Sequence, residues 1–322
     1  MTVDLYHEID EAVQKRLYQD SPNKESCNVL LFTTTLTPEL VDFLSNDYNF
    51  ELVLRLVNNL KEQLYISSIK DSHQRFKTLI QILFTRLILN YLTSDSKHLW
   101  DKIRFTYNKY GKPSIENMSA FTFNSSSSNS IISIIVQFSN SDSPIGIDLS
   151  HAKQNGISPS NFIEEFRPIF GSNELKLLQS IEDSDSKYFT FNHIWTLKEA
   201  FTKLLGCGLN IDLSEFDYDI RSSLLEDIHT RDILHYSSSK MVNEYLLNYN
   251  TDIIINVSKL KSNQNAFLLS LDNFHNFFIY SSILQPRREH DLPVIITFIN
   301  QIPIDKIRSF EFNMLNILKT CV

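Results

Sequence analysis

Three side chains with helical spacing are the residues of this chain best suited to do chemistry. Trp195, Glu199 and Lys203 stand four residues apart in the segment 193–209, so in a helix they share one face. The apolar residues Leu197 and Phe201 fall on the other side, and Glu199 and Lys203 form a favourable i, i+4 pair. The pattern alone indicates an amphipathic helix with a surface ion pair, although tryptophan is unusual on a purely solvated face.

An acidic residue inside an apolar segment is the second chemical signal. Residues 145–149 read Ile-Gly-Ile-Asp-Leu and are typical of a short buried strand, where aspartate is disfavoured. Asp148 is either an edge residue at a turn or a buried acid that must be paired, hydrogen-bonded or bound to a metal. Mg²⁺ commonly takes one or two carboxylates together with substrate phosphates and water. Asp148 and Glu199 are therefore possible ligands of one cation, with Lys203 facing a phosphate.

Four motifs, taken in order, resemble those of the 4′-phosphopantetheinyl transferase superfamily in its large two-lobed form. The resemblance covers about residues 71–209, and the set in order is far more specific than any one of the short motifs alone. The motifs are Gly111-Lys112-Pro113, similar to GKP; Phe123-Asn124-Ser125-Ser126-Ser127, similar to FNxSH; Gly146-Ile147-Asp148, similar to GxD; and Trp195-x-x-Lys198-Glu199-Ala200-x-x-Lys203-x-x-Gly206-x-Gly208-Leu209, similar to WxxKEAxxKxxGxGL.

The resemblance implies transfer of the phosphopantetheine arm of coenzyme A to a serine of an apo carrier domain, with release of 3′,5′-ADP. The nucleophile then belongs to the partner. Asp148 and Glu199 are implied to bind Mg²⁺, and Glu199 and Lys203 to be catalytic, as base and as phosphate contact. Lys198 ranks lower, because it projects about 100° away from Glu199 on a helix. The implied coenzyme A-binding residues are Arg75, Lys109, Lys112, Asn124, Ser126, Ser127, Asp148 and Lys203.

Two positions depart from the family pattern. Ser127 stands where the family has a histidine, so a neutral hydroxyl faces the 3′-phosphate, and another basic group such as Arg75 is needed to compensate. Ser150 stands where some members have a second acid, which leaves that metal position to water and resembles the eukaryotic members with two protein carboxylates.

The composition is that of an ordinary globular protein. Of 322 residues, 42% are hydrophobic and 21% charged, and the net charge of −8 argues against general nucleic-acid binding. No stretch approaches the roughly 18 apolar residues of a membrane span, and the first residues lack a signal-peptide core. The three cysteines are far apart, which argues against disulfides and a zinc site. We expect a cytoplasmic monomer that needs neither nucleic acid nor membrane.

The glycine-poor, Asn- and Ser-rich composition is typical of an AT-rich yeast genome. There are only six glycines, against roughly 22 at average usage, and four of them lie in the motifs. The resemblance implies that the partners are apo acyl, peptidyl or aminoadipoyl carrier domains. In such organisms it implies that the carrier is the one in α-aminoadipate reductase of lysine biosynthesis.

The order of the predicted elements favours an α+β fold. Strands are expected at 29–35, 100–107, 131–136 and 145–149, and then at 251–257, 266–271, 277–284 and 294–299. Helices are expected from Pro38 to about 43 and over 50–68, 71–92, 158–180, 193–205 and 304–318, and Ser125–Ser130 reads as either motif or linker. The resemblance implies two similar lobes related by a pseudo-twofold axis, 1–148 and 149–322, with the active site in the cleft between them.

Two other functions stay open from the residues alone. A non-catalytic descendant that binds a carrier or coenzyme A is motivated by Ser127, although Asp148, Glu199 and Lys203 argue against it. An unrelated α+β hydrolase is the weaker alternative, because the sequence has no G-x-S-x-G elbow, Walker loop or zinc motif.

Overall fold

The computed structural model describes residues 2–19, 25–93, 98–118, 120–139, 143–152, 162–224, 240–271, 275–284 and 293–322. The helices of these residues are α1 (Thr2–Val13), α2 (Arg16–Gln19), α3 (Pro38–Ser45), α4 (Asp47–Leu56), α5 (Leu60–Ser68), α6 (Ser72–Thr93), α7 (Phe162–Glu165), α8 (Ser172–Ser180), α9 (Ser184–Leu205), α10 (Ser258–Ser262), α11 (Ala266–Leu269) and α12 (Met314–Cys321). The strands are β1 (Cys27–Thr35), β2 (Phe105–Tyr107), β3 (Pro113–Ile115), β4 (Thr122–Ser128), β5 (Ile131–Phe138), β6 (Ile145–His151), β7 (Asp217–Ile220), β8 (Val242–Tyr245), β9 (Ile253–Asn256), β10 (Phe278–Leu284), β11 (Val294–Asn300) and β12 (Ile304–Phe312).

A five-stranded sheet combines strands from both ends of the chain, in the order β4-β5-β1-β12-β8. β1 and β12 are parallel neighbours, with Phe32 opposite Phe310, and the other pairs are antiparallel. The central strand β1 is a continuous buried run, as expected where both faces of a sheet are covered. Leu30 and Phe32 face helices α1, α3, α4 and α6, whereas Val29 and Leu31 face the second sheet.

The second sheet has three antiparallel strands in the order β10-β11-β6. Ile145, Ile147 and Leu149 of β6 pack with Phe298 of β11 against the first sheet. The opposite face of this sheet is covered by α9, which packs against β6 and β11. The resulting layers are helices, five-stranded sheet, three-stranded sheet and α9, which confirms the predicted α+β class.

Several predicted elements are present where the sequence placed them. β1, β5, β6, β10 and β11 match predicted strands, and α6 matches the predicted helix over 71–92. Thr37 caps α3, its hydroxyl accepting a hydrogen bond from Leu40 N, with Pro38 in the first turn. The expected strand over 100–107 is confined to β2.

The prediction of a final helix over 304–318 is wrong. Residues 304–312 form β12, and a helix begins only at Met314. Phe310 and Phe312 alternate with polar neighbours and enter the main core, which is the period-2 pattern of a half-buried strand. Asn313 then caps α12 by accepting from Asn316 N.

Other differences follow from local caps. Residues 266–271, expected as a strand, contain α11, because Asn265 Oδ1 accepts from Phe267 N and Leu268 N. The expected helix over 50–68 is two helices, since Asn59 begins a new one by capping Glu62 N. The helix expected over 158–180 is α7, a 3₁₀ turn and α8; residues 153–161 lie outside the described residues. Of the serine-rich stretch read as a possible linker, residues 125–128 are part of β4, and Ser130 lies in the turn to β5.

The predicted boundary at residue 148 stays a prediction. Strands from both sides of it share the first sheet, since β12 lies beside β1, and share the second, since β6 lies beside β11. Within the described part of the chain, no helix is long and apolar enough to cross a membrane.

Candidate functional site

Strand alternation on β6 places Asp148 against α9. Successive side chains of a strand point to opposite faces, so the apolar residues of β6 face the first sheet, and Gly146, Asp148 and Ser150 face the helix. At Gly146 the two backbones nearly touch, because a Cβ there would lie 2.1 Å from Ala200 O and 2.4 Å from Leu204 N. The glycine of the GxD motif therefore permits the close approach that brings Asp148 to the helix.

The helix α9 presents Glu199 and Lys203 on the face that meets this acid. It begins at the cap Asp183, whose carboxylate accepts from Ser186 N, and ends at Gly206 in the left-handed conformation with φ 69°. Its apolar face packs into a separate core. Glu199 and Lys203 are half-buried and stand four residues apart within this helix, so they share one face as predicted.

Asp148, Lys203 and Ser126 form one hydrogen-bonded cluster. Lys203 Nζ donates to Asp148 Oδ1 at 2.6 Å and to Ser126 Oγ at 3.0 Å. Ser126 Oγ donates to Asp148 Oδ1 at 2.9 Å and accepts from Leu149 N at 3.2 Å. Because Leu149 is on the edge strand β6 and Ser126 on the edge strand β4, this serine joins the edges of the two sheets at the site.

The electrostatics of the cluster favour a cation. Burial raises the pKa of Asp148, and its bonds to Lys203 and Ser126 offset part of that rise. Burial also raises the pKa of Glu199, the negative charge of Asp148 raises it further, and Lys203 lowers it. Two carboxylates that repel each other and share one ammonium leave an excess negative charge, to which a divalent ion bound with a diphosphate is suited.

A cavity of about 220 Å³ opens beside the cluster. Its walls come from the turn between β2 and β3, from β4 and from the end of α9. Three of the predicted coenzyme A-binding residues line it, namely Lys112, Asn124 and Lys203, whereas Asp148 and Ser126 do not. Its lining residues are Tyr110, Gly111, Lys112, Pro113, Asn124, Ser125, Lys203, Gly206 and Gly208.

A second and larger cavity, of about 720 Å³, lies on the other side of Lys112 and Pro113. Apolar residues such as Phe121, Ile145 and Leu204 form much of its wall. It shares Lys112, Pro113 and Gly206 with the smaller cavity, so the turn that carries the GKP motif separates the two.

Lys112 lines both cavities but directs its ammonium into the protein. Lys112 Nζ donates to Leu204 O at 3.1 Å and to Ile145 O at 3.2 Å. The residue as a whole is half-buried, but its charged end lies inside the protein. Burial of that end lowers the pKa of Lys112 to about 8. Its predicted contact with coenzyme A stays a prediction.

The remaining predicted coenzyme A-binding residues have different surroundings. Lys109 is exposed, with its ammonium 5.3 Å from the Tyr110 ring centre. Ser127 follows Ser126 on β4, so in regular alternation it faces away from Asp148. The guanidinium of Arg75 lies over Phe50 and Phe76, and its buried Nε lacks a hydrogen-bond partner in the described structure.

Lys198 belongs to the core rather than to the cluster. It is fully buried and pairs with the buried Glu174 at 3.0 Å, and its ammonium also donates to Leu213 O and Phe216 O, both at 2.8 Å. Sequence reasoning ranked it below Glu199 from helix geometry but missed its partner, because Glu174 is remote in sequence and has no motif.

Ser150, at the position of a second acid in some family members, is buried and lies 3.4 Å from Asn192 Oδ1, to which its hydroxyl donates. The described residues contain no group of three or more His, Cys, Asp or Glu side chains placed to hold a metal. A cation at this site therefore depends on two carboxylates, Asp148 and Glu199, and on ligands from outside the chain.

Residues 144–249 match the sequence model of the 4′-phosphopantetheinyl transferase superfamily. This segment belongs to that superfamily. It contains Asp148, Glu199 and Lys203, whereas the motifs from Gly111 to Ser127 precede it. The match confirms the predicted family over this segment.

Similar curated proteins agree with this family and with the predicted class of enzyme. The chain is 28% identical over 216 residues to the L-aminoadipate-semialdehyde dehydrogenase-phosphopantetheinyl transferase of Candida glabrata, covering 64% of this chain and 78% of the relative. The protein of the same name in Saccharomyces cerevisiae is 26% identical, over 55% of this chain and 63% of its own length. The 4′-phosphopantetheinyl transferase Sfp of Bacillus subtilis is 33% identical over 35% of this chain and 46% of its own length.

Proposed function

We propose that this chain transfers the 4′-phosphopantetheine arm of coenzyme A to a serine of an apo carrier domain and releases 3′,5′-ADP. The observation that carries the proposal is the meeting of Asp148 from β6 with Glu199 and Lys203 from α9, beside a cavity lined by the GKP and FNxSH-like segments. The names of the yeast relatives support α-aminoadipate reductase of lysine biosynthesis as the carrier. Other acyl and peptidyl carrier domains are further possible substrates.

Asp148 and Glu199 are the proposed ligands of Mg²⁺. The residues fit the ion, because both are oxygen donors, their charges repel each other and a single ammonium is shared between them. When bound, the ion neutralises charge on the diphosphate of coenzyme A. Two carboxylates and substrate phosphates are the ligands that Mg²⁺ usually takes in proteins.

Lys203 holds the phosphates in this proposal. Its ammonium now donates to Asp148 and Ser126 and lies at the wall of the cavity, so a phosphate entering the cavity meets a charge already in place. A positive group positioned before the reaction stabilises the charge that develops on the leaving diphosphate oxygen.

Glu199 is the proposed base for the carrier serine. A carboxylate whose pKa is raised by burial and by Asp148 accepts a proton more readily than an exposed one. The proton moves from the serine hydroxyl to a Glu199 carboxylate oxygen, directly or through a water. The serine oxygen forms the new bond to the β-phosphorus while the bond from that phosphorus to the 3′,5′-ADP oxygen breaks.

We infer that coenzyme A lies in the cavity of about 220 Å³. Asn124 and Lys203 line this cavity, and Ser126 is bonded to Lys203 beside it. Lys109, Ser127 and Arg75 complete the proposed set of contacts, in which Arg75 supplies the basic charge for the 3′-phosphate that a serine at 127 cannot.

The wider organisation is also part of the proposal. Two similar lobes, 1–148 and 149–322, are related by a pseudo-twofold axis and enclose the site in their cleft; the cavity beside Lys203 draws its lining from residues on both sides of that boundary. The protein acts as a cytoplasmic monomer. A local patch recognises the carrier, because the net charge of −8 repels acidic carriers at long range.

The decisive experiment is mass spectrometry of apo carriers incubated with the chain, coenzyme A and Mg²⁺. Carriers of the aminoadipoyl, acyl and peptidyl types are compared, with a chelator and a carrier lacking its serine as controls. We expect the mass of one phosphopantetheine arm on the aminoadipoyl carrier, dependent on metal and serine. Failure of every carrier, with coenzyme A binding intact, would favour the non-catalytic binding protein.

A further inference from the structure

The turn between β2 and β3 grips the C-terminal end of α9. We call residues 108–112 the clamp loop. Asn108 Nδ2 donates to Gly206 O at 2.7 Å, and Lys112 Nζ donates to Leu204 O at 3.1 Å. Carbonyls in the last turn of a helix lack helical partners, and a cation there is favoured by the helix dipole. The loop thus caps the helix from a segment about ninety residues away in sequence.

The clamp loop is itself rigidly organised. Asn108 Oδ1 accepts from the backbone N–H groups of Tyr110 and Lys112, both at 2.9 Å. Gly111 has φ 89°, a conformation that side chains disfavour. At the other side of the contact, a Cβ on Gly206 would lie 2.8 Å from Asn108 Nδ2 and 3.1 Å from Lys112 Cδ. Gly111 of the GKP-like motif and Gly206 of the long motif therefore both permit the contact between the clamp loop and α9.

Lys112 also reaches the strand that carries the acid. The same ammonium donates to Ile145 O at 3.2 Å, three residues before Asp148 on β6. That is about 10 Å along a strand, while Leu204 is about 7.5 Å along the helix from Glu199. One nitrogen is thus bonded to both elements that carry the acids, close to the point where Gly146 lets them touch.

We propose that Lys112 is a positioning residue, whose ammonium fixes β6 against α9 so that Asp148 and Glu199 lie within reach of one metal ion. This inference rests on the proposed function, since it assigns Lys112 to the same site. It differs from the role predicted from the motif, where the lysine touches coenzyme A. Two of the three ammonium donors already bind backbone carbonyls.

The two roles predict opposite results for Lys112→Met. If the lysine binds coenzyme A, its loss weakens the binding of coenzyme A. Metal affinity then stays unchanged or increases, because a nearby positive charge has been removed. If it positions the acids, its loss weakens metal binding despite the favourable change in charge. We expect Mn²⁺ affinity to fall about 10-fold, the lower range for groups that orient metal ligands. Coenzyme A affinity without metal should stay near the wild-type value.

The experiment measures free Mn²⁺ by electron paramagnetic resonance and coenzyme A binding in chelator by calorimetry. Lys112→Arg keeps a positive group with enough N–H donors for both carbonyls, so it should recover much of the Mn²⁺ affinity. Lys176→Met removes an exposed lysine of α8 and should change neither affinity. If Lys112→Met does not fold, Asn108→Ala loosens the same loop without changing charge and should lower Mn²⁺ affinity in the same direction.

The inference is overturned if Lys112→Met binds Mn²⁺ with wild-type affinity. If Lys112→Met is unfolded, wild-type Mn²⁺ affinity in Asn108→Ala overturns it instead. A selective loss of coenzyme A affinity in Lys112→Met also overturns it, in favour of direct contact. Failure of the proposed function looks different, because it appears in the wild-type chain itself, which would then leave every apo carrier unmodified whatever its affinity for Mn²⁺ and coenzyme A.

Discussion

At the scale of single residues, the site consists of charged groups whose neighbours set their position and their pKa. Glu199 is a raised-pKa carboxylate because it is half-buried and faces Asp148, and Lys203 is fixed by the same acid and by Ser126. The types and spacing of these residues identified them in the sequence. The hydrogen bond from Leu149 N to Ser126 Oγ was not predictable, because it depends on two sheet edges that meet only in the folded chain.

The serine at position 127 tests how far the pocket has diverged. We expect Ser127→His to tighten coenzyme A binding or leave it unchanged, since an imidazole adds charge for the 3′-phosphate. Calorimetric titration with coenzyme A measures the change, and dephospho-coenzyme A, which lacks the 3′-phosphate, should show no gain. A clear loss of affinity would show that the end of β4 no longer faces the nucleotide.

His193 should make the folded chain sensitive to acid. It is fully enclosed on α9, and burial lowers its pKa to about 3 from 6.5; its Nε2 has no hydrogen-bond partner in the described structure. The neutral form is thus favoured on folding, so its contribution to stability is complete above pH 6.5 and is lost as the pH falls toward 3. We expect the free energy of unfolding in urea to fall over this range.

The control for His193 is His193→Gln, which cannot titrate. Its unfolding free energy should depend less on pH between 6.5 and 3 than that of the wild-type chain. Equal slopes in the two proteins would show that other groups cause the acid sensitivity.

At the scale of elements, α9 is held on two sides. One side meets β6 at Gly146 and the clamp loop at Gly206, and the other is anchored by the Lys198–Glu174 pair. The sequence predicted the helix, its apolar face and its terminal glycine, because these are local signals. It did not predict the anchor, because the partner Glu174 is remote in sequence and belongs to no motif.

Lys198→Met should destabilise the chain by about 3–5 kcal/mol, because it leaves Glu174 buried without its partner charge. Glu174 also accepts from Gly171 N and Tyr218 N, so the loss extends to the start of α8 and to β7. Urea unfolding measures the change, and adding Glu174→Gln should recover part of it by removing the unpaired charge. A loss below about 1 kcal/mol, the range of an exposed pair, would contradict this account.

At the scale of the whole molecule, the fold brings distant parts of the chain to one site. The GKP-like turn, the GxD strand and the long helix meet because two sheets stack and α9 covers the second. Patterns of apolar residues predicted most strands and the α+β class. These patterns did not predict the parallel pairing of β1 with β12. The two strands are far apart in sequence, so their pairing depends on how the rest of the chain packs.

The central claim is that Asp148 and Glu199 act together on one metal ion. The most direct measurement is the rate of phosphopantetheine transfer to an apo carrier by Asp148→Asn and Glu199→Gln, with Mn²⁺ affinity and melting temperature recorded for each. Glu182→Gln, an exposed acid before α9, is the matched control. We predict that both site variants lose at least about 100-fold in rate and bind Mn²⁺ weakly, with nearly unchanged melting temperatures. A near-wild-type rate in either variant would contradict the account.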